Sequence, residues 1–274
     1  MTRYSAVELA RRLGDDHAPT AQQAAAIEAP LSPLLIVAGA GSGKTAVMAA
    51  RVVWLIANGH VRPEQVLGLT FTRKAAGELG RRIRQRLRRL HGISDDPALL
   101  RGEPTVSTYH SYAASVVAEH GPRAGYEPAP AVLSTARAWQ LGYAAVRGYD
   151  GDMSATSLTM DTVVERVLSL SDEMAEHLRD AREVRDFTEA TIDEIAERVA
   201  SGTKETKKLV DNLRSRVQLL PIVEDYRRRK HAQGAVDFAD QLAQAARLAR
   251  EAPEVGRVER GRFPVVLLDE YQDT

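Results

Sequence analysis

Cysteine is absent from this 274-residue chain, which excludes disulfides and thiolate-ligated zinc and makes a reducing cytoplasm the expected compartment. Net charge is absent too. The 37 Lys and Arg balance 37 Asp and Glu, so a surface for nucleic acid has to be local rather than global. No apolar run approaches the roughly 20 residues needed to cross a bilayer. Met1-Thr2-Arg3-Tyr4 leads into a mixed polar stretch without the apolar region of a signal peptide, and no membrane partner is expected. Internal repeats and low-complexity segments are missing. What remains is an ordinary globular composition, 44% hydrophobic and 27% charged, sufficient for one large domain or two modest ones.

The first third alternates between strand and helix patterns. Leu34-Leu35-Ile36-Val37-Ala38 is an apolar run entering a Gly-rich turn, which predicts a buried parallel strand. Thr45 to Asn58 has helical spacing and stops at Asn58-Gly59. Gln65 to Phe71 predicts a second strand. Arg73 to Leu90 predicts a helix with Ala76, Leu79, Ile83, Leu87 and Leu90 on one face, and Thr105-Val106-Ser107 a short third strand before a helix near His110. Such alternation implies a parallel sheet with crossover helices. From Ala136 to about Lys230 the periodicity is helical only. Strand signal returns at Phe263 to Leu268, after a charged stretch, Glu251–Arg262, that reads as a solvated loop. The expectation is an α/β fold over 1–118 and 233–274, interrupted by an all-α insertion over 119–232.

Two motifs carry chemistry. Ala38-Gly39-Ala40-Gly41-Ser42-Gly43-Lys44-Thr45 follows the first predicted strand and opens a helix. Gly41 and Gly43 let backbone N–H groups turn onto phosphate oxygens, and the helix N-terminus favours anions. Lys44 would reach the β- and γ-phosphates and Thr45 would ligate Mg²⁺. Ala38 stands where the pattern has its first Gly. Asp269 and Glu270 follow the last predicted strand, where α/β sheets place ligands. Asp269 would hold Mg²⁺, directly or through water, and Glu270 would orient or deprotonate the attacking water. Alone, two acids at a strand end also fit a solvated cap.

Asp269-Glu270-Tyr271-Gln272-Asp273-Thr274 resembles motif II of the UvrD/Rep/PcrA-like superfamily-one DNA helicases, and Ala40–Thr45 resembles their motif I. Thr70–Ala76 is similar to motif Ia, with Arg73 in the usual place of Asn. Ser107–Ser111 is similar to the T-F-H-S stretch, with Tyr109 for Phe. Asp237-Phe238-Ala239-Asp240 resembles the D-F-D-D-L stretch, and Pro19–Ile27 the Q motif. Within that group the opening and the segment from Ala49 to Arg73 resemble AdnAB-type helicase–nuclease subunits, AdnB-like ones in particular.

The resemblance implies a RecA-like P-loop NTPase domain, called 1A, with a helical domain 1B inserted. It implies MgATP hydrolysis coupled to 3′ to 5′ movement on single-stranded DNA and to unwinding, in repair or recombination. Gln23 would read adenine, with Ala38, Gly39, Ala40, Gly41, Ser42, Gly43, Lys44 and Thr45 around the phosphates. Lys44, Asp269 and Glu270 would be catalytic, and Thr45 and Asp269 would take the metal. Phe71, Thr72, Arg73, Thr108, Tyr109 and His110 would face DNA, a single strand or a duplex junction. The narrower resemblance implies a partner helicase–nuclease subunit. The family commonly has Arg after the motif I Thr, where this chain has Ala46.

Arg81 to Arg89 is the strongest local charge cluster and reads equally as a DNA-steering surface or a solvated helix face. The family's later motifs lie beyond motif II, so the 274-residue stretch is expected to be incomplete and to have little helicase activity alone. Two other classes stay open: a non-catalytic nucleotide- or DNA-binding module acting through a partner, and a different phosphate-loop enzyme such as a nucleotide kinase.

Overall fold

The computed structural model describes residues 4–39, 41–92, 102–154, 158–198 and 203–273. In chain order the elements are α1 (Ala6–Arg12), α2 (Ala21–Glu28), α3 (Lys44–Ala57), β1 (Val66–Thr70), α4 (Arg73–His91), β2 (Thr105–Thr108), α5 (Tyr109–His120), β3 (Ala131–Val132), α6 (Thr135–Arg147), α7 (Met160–Glu176), α8 (Ala181–Arg198), α9 (Lys204–Ala232), β4 (Ala235–Val236), α10 (Phe238–Glu251), α11 (Pro253–Arg262) and β5 (Val265–Leu268). They divide into two compact units, Met1–Tyr112 with Pro253–Thr274, and Ala113–Ala252.

The first unit is α/β. Every residue of β1 is buried, as its continuous apolar run demands of a central parallel strand. β2 and β5 pair with it on either side, both parallel, and Leu69 lies level with Ser107 on one side and Leu268 on the other. α4 presents Ala76, Leu79, Ile83, Leu87 and Leu90 to the core, the face that its 3.6-residue period specifies. α3 is buried along most of its length, from Val47 to Ala57. The Trp54 indole N–H donates to the Tyr4 carbonyl at 2.9 Å, satisfying the one polar group this large core side chain brings in.

Arg51 fastens α2 to α3. Its guanidinium is buried and donates to the carbonyls of Ala26, Ile27, Ala29 and Pro30 at 2.8–3.1 Å. Those acceptors include the last carbonyls of α2, which have no intrahelical partner and carry the negative end of the helix dipole.

The second unit is helical. Its core joins Leu141 of α6, Val163, Val167, Leu170 and Met174 of α7, and Leu219, Leu220, Ile222, Val223 and Tyr226 of α9. At the end of α9 the buried Lys230 ammonium lies between the Asp237 and Asp240 carboxylates. Those two acids also form the capping box that starts α10. This ion cluster therefore fixes the turn between the two helices.

Three expectations are corrected. Leu34–Ala38 pairs with no strand among the described residues, and Leu35 and Val37 are 70% and 86% exposed. An apolar run becomes a strand only when a neighbour takes its backbone groups, and neither open edge of the sheet, β2 or β5, does so for this run among the described residues. Residues 253–262, read as a loop, form α11, which Pro253 opens and the buried Val255 anchors; Pro suits a first helical position because no N–H is needed there. β4 was not anticipated. It is a two-residue parallel ladder with β3, too short to leave a periodic signal. Compactness also groups residues 113–118 and 233–252 with the helices, because α10 packs on α7 and β4 pairs with β3.

Candidate nucleotide site and DNA-facing edge

The carboxyl ends of the three parallel strands bring the distant motifs together. β1 delivers Phe71, Thr72 and Arg73, β2 delivers Tyr109 and His110, and β5 delivers Asp269 and Glu270. The Asp269 N–H donates to the Leu69 carbonyl at 2.9 Å, extending the ladder one residue past β5. The Tyr109 hydroxyl donates to the Asp269 carbonyl at 3.2 Å, a tie between two motifs that neither sequence segment announces.

Asp269 is buried and accepts the Glu270 N–H on Oδ1 at 3.1 Å. Burial pushes its carboxyl above the usual carboxylate range; the Glu270 N–H lowers it, the Glu270 charge raises it, and the Lys44 ammonium lowers it. Glu270 has φ of 52°, left-handed backbone that costs a residue with a Cβ roughly 1–2 kcal/mol. Its carboxylate accepts a hydrogen bond from the Gln272 amide.

The phosphate loop closes on itself. Gly41 and Gly43 have φ of 75° and 87°, conformations open to glycine at little cost. Gly43 caps α3 with no side-chain hydrogen bond, so the first-turn N–H groups of that helix remain available to an anion. The Lys44 ammonium folds back on the carbonyls of Ala38 at 2.9 Å and Gly39 at 3.3 Å, and the Ser42 hydroxyl donates to the Gly39 carbonyl at 2.7 Å. Thr45 sits in the first turn of α3, half-buried. Ala40 lies outside the described residues, as does Thr274.

Gln23 spans two roles. As the third residue of α2 it accepts the Thr20 N–H in a capping box, and its Nε2 donates to the Ser42 carbonyl at 3.1 Å. A cavity of about 200 Å³ lies beside it, lined by His17, Pro19, Gln23, Ala46, Val47 and Ala50 among others. With Ala at position 46, no long side chain from that position fills it.

Among the residues expected to face DNA, Phe71 is 45% exposed and meets Tyr109 edge-on at 6.0 Å, and Arg73 is exposed. Thr72 caps α4, accepting the Ala75 N–H at 3.1 Å. Thr108 is buried, its hydroxyl engaged with Ser111. His110 is half-buried in the first turn of α5. The Arg81–Arg89 run is partly neutralised within the fold. Arg86 pairs with Asp15 at 2.8 Å, Arg89 approaches it at 3.6 Å, and Arg82 pairs with Glu78. Sequence reading missed Arg51 and the Tyr109 tie. Arg51 looks like a helix-surface residue, and no short-range pattern marks it.

No helix among the described residues is long and apolar enough to cross a membrane. A family model described as the UvrD/REP helicase N-terminal domain matches residues 19–274. The chain is similar to the ATP-dependent DNA helicase UvrD1 of Mycobacterium leprae, 31% identical over 96% of this chain and 29% of that protein. It is similar to the ATP-dependent DNA helicase PcrA of Bacillus subtilis, 27% identical over 92% of this chain and 29% of that protein. A 54-residue stretch is 61% identical to DNA helicase IV of Escherichia coli, covering 20% of this chain and 8% of that one. The chain therefore spans less than a third of these relatives, and none of the three is described as a helicase–nuclease subunit. With the Phe71–Arg73, Tyr109–His110 and Asp269–Glu270 segments gathered at the carboxyl ends of one sheet and the match running from residue 19 to 274, the chain belongs to the UvrD/REP helicase N-terminal domain family.

Proposed function

We propose that this chain is the nucleotide-binding motor core of an ATP-dependent DNA helicase. The observation that carries the reading is the phosphate loop itself, in which Gly41 and Gly43 take positive φ, Gly43 leaves the N-terminus of α3 without a side-chain cap, and the Lys44 ammonium folds over the loop onto the Ala38 and Gly39 carbonyls. In this reading the α/β unit is domain 1A and the helical unit is domain 1B.

The residues fit an ATP–Mg²⁺ complex. The open N–H groups of α3 and the positive φ of Gly41 and Gly43 suit a polyphosphate, and Thr45 with Asp269 offers the hard oxygen donors that Mg²⁺ takes. When bound, the ion offsets charge on the β- and γ-phosphates. Lys44 exchanges the Ala38 and Gly39 carbonyls for phosphate oxygens. Glu270 orients the attacking water and accepts its proton. Gln23 turns its amide to the adenine edge, where it can donate and accept together.

Phe71 and Tyr109 stack on bases of single-stranded DNA, while Thr72, Arg73, Thr108 and His110 line its path. Movement is 3′ to 5′, and unwinding belongs to the longer polypeptide. Slow ATP turnover by the 274-residue chain alone is part of this proposal, since an arginine finger supplied from elsewhere is worth about 10³–10⁵ in rate in phosphoryl transfer. The setting is repair or recombination in the cytoplasm. The AdnB-like assignment and its partner subunit are kept as the narrower form of this proposal.

The test is ATP turnover by the longer protein with and without oligothymidylate, for the parent, Lys44→Ala and Glu270→Gln. DNA-stimulated turnover that falls at least a hundredfold in both variants is expected. Turnover indifferent to DNA, or variants as active as the parent, would sink the reading.

A further inference from the structure

Trp139 and Tyr143 stand one turn apart on α6, stacked with ring centroids 5.3 Å apart and planes at 20°. Stacking does not hide them: Trp139 remains 37% exposed. The opposite face of α6 is the packed one. Leu141 and Ala145 are buried in the helical core, and a Cβ added to Gly142 would come within 3.2 Å of Val164 and Leu168. The pair lies off that packed face, with Tyr143 half-buried and the Trp139 ring partly open to water.

The same stripe continues to Arg147, one further turn along and exposed. Arg147 makes no ion pair among the described residues. Arg137, on the same helix, is held by the neutral amides of Gln140 and Gln233 and so keeps its charge uncompensated. From Thr135 to Arg147 there is no Asp or Glu. Trp139 to Arg147 spans about 12 Å of helix axis. Such a strip falls far short of the roughly 800 Å² per partner of a stable protein interface. Rings with cations and no acid suit a polyanion that carries flat bases.

We propose that Trp139, Tyr143 and Arg147 form a stacking site for single-stranded DNA on the helical unit, separate from the strand-end residues of the α/β unit. It rests on the DNA-motor reading above. Trp139 offers its ring to a base without regard to sequence, Tyr143 backs that ring, and Arg147 holds the adjoining phosphate.

The chain contains two tryptophans, and Trp54 is buried at 5% exposure, so Trp139 is a built-in reporter. Titrating the 274-residue chain with a 15-residue oligothymidylate should quench tryptophan emission, and Trp139→Phe should remove that signal. By anisotropy of the labelled oligonucleotide, Trp139→Ala and Tyr143→Ala should each weaken binding about fivefold or more. Arg147→Gln should lower the slope of log affinity against log salt by about 0.7. Melting curves check that each variant folds as the parent does.

If the oligonucleotide binds but emission is unchanged, and Trp139→Ala binds as the parent does while Arg73→Ala binds less, this site falls and the motor reading stands. If the parent does not bind it at all, both fall. Self-association in sedimentation that Trp139→Ala abolishes and the oligonucleotide leaves untouched would assign the face to a second copy of the chain and overturn the proposal.

Discussion

The Gln23 Nε2 donates to the Ser42 carbonyl at 3.1 Å, tying the first turn of α2 to the tip of the phosphate loop. The same amide accepts the Thr20 N–H through its oxygen. Gln23 thus couples helix capping to the shape of the nucleotide cradle, and a base reaching it competes with Ser42 for the amide N–H. Gln23→Ala should cost about 1 kcal/mol of stability through the lost capping box. It should also erase preference for ATP over GTP while inorganic triphosphate binds as before. Competition assays with the three ligands check this; a retained purine preference would remove Gln23 from the base site.

Glu270 holds a left-handed backbone at the candidate catalytic position. Glycine adopts that conformation without a Cβ penalty. Glu270→Gly should therefore be more stable than Glu270→Ala by about 1 kcal/mol, although both lose ATP turnover. Thermal melts of the two variants decide it, and equal stability would mean that the strain is not stored there.

Arg51 donates to four carbonyls around the end of α2. Arg51→Met leaves those acceptors without their shared donor and should cost about 2–3 kcal/mol. Arg51→Lys should recover only part, because one ammonium cannot match the guanidinium fork. Since α2 carries Gln23, nucleotide affinity should fall with stability. Urea unfolding alongside nucleotide titration tests the link.

Asp172 on α7 has its carboxyl pushed up to about 6, first by burial, then by the charges of Asp237, Asp240 and Glu176, with Lys230 opposing. A raised carboxyl means that the folded chain holds the proton more tightly than the unfolded one. Its contribution is therefore greatest below about pH 4, shrinks as pH rises towards 6 and is gone above. Asp172 is nevertheless exposed by surface area, so solvent screens its charge and the cost near pH 7 is at most about 1 kcal/mol. Asp172→Asn should raise the melting temperature by about 2–4 °C at pH 7.5 and flatten the fall between pH 4 and 6. A parent and variant with parallel pH profiles would count against it.

Much of the site was legible in the sequence because its parts are local. A Gly-rich loop needs its glycines, lysine and threonine in one short run, and a parallel strand needs a short apolar stretch, which Val66–Thr70, buried throughout, and Val265–Leu268, buried on one face, both supply. The helical face of α4 follows from its period alone. Where the pattern was read without its neighbours it failed. Leu34–Ala38 is as apolar as β1 yet pairs with neither open edge of the sheet among the described residues, and residues 253–262 are charged yet helical, with Val255 buried.

The sequence by itself determined which candidate groups for phosphate and metal chemistry the chain carries, since the identities and spacing of Lys44, Thr45, Asp269 and Glu270 are readable without coordinates. Only the tertiary structure decided that β1, β2 and β5 lie side by side with their carboxyl ends together, because strand order depends on pairing between segments far apart in the chain. It alone set the Glu270 backbone, the four carbonyls on Arg51 and the open aromatic face of α6. Each depends on what a neighbouring segment covers or leaves to water, and no short stretch of sequence encodes its neighbours.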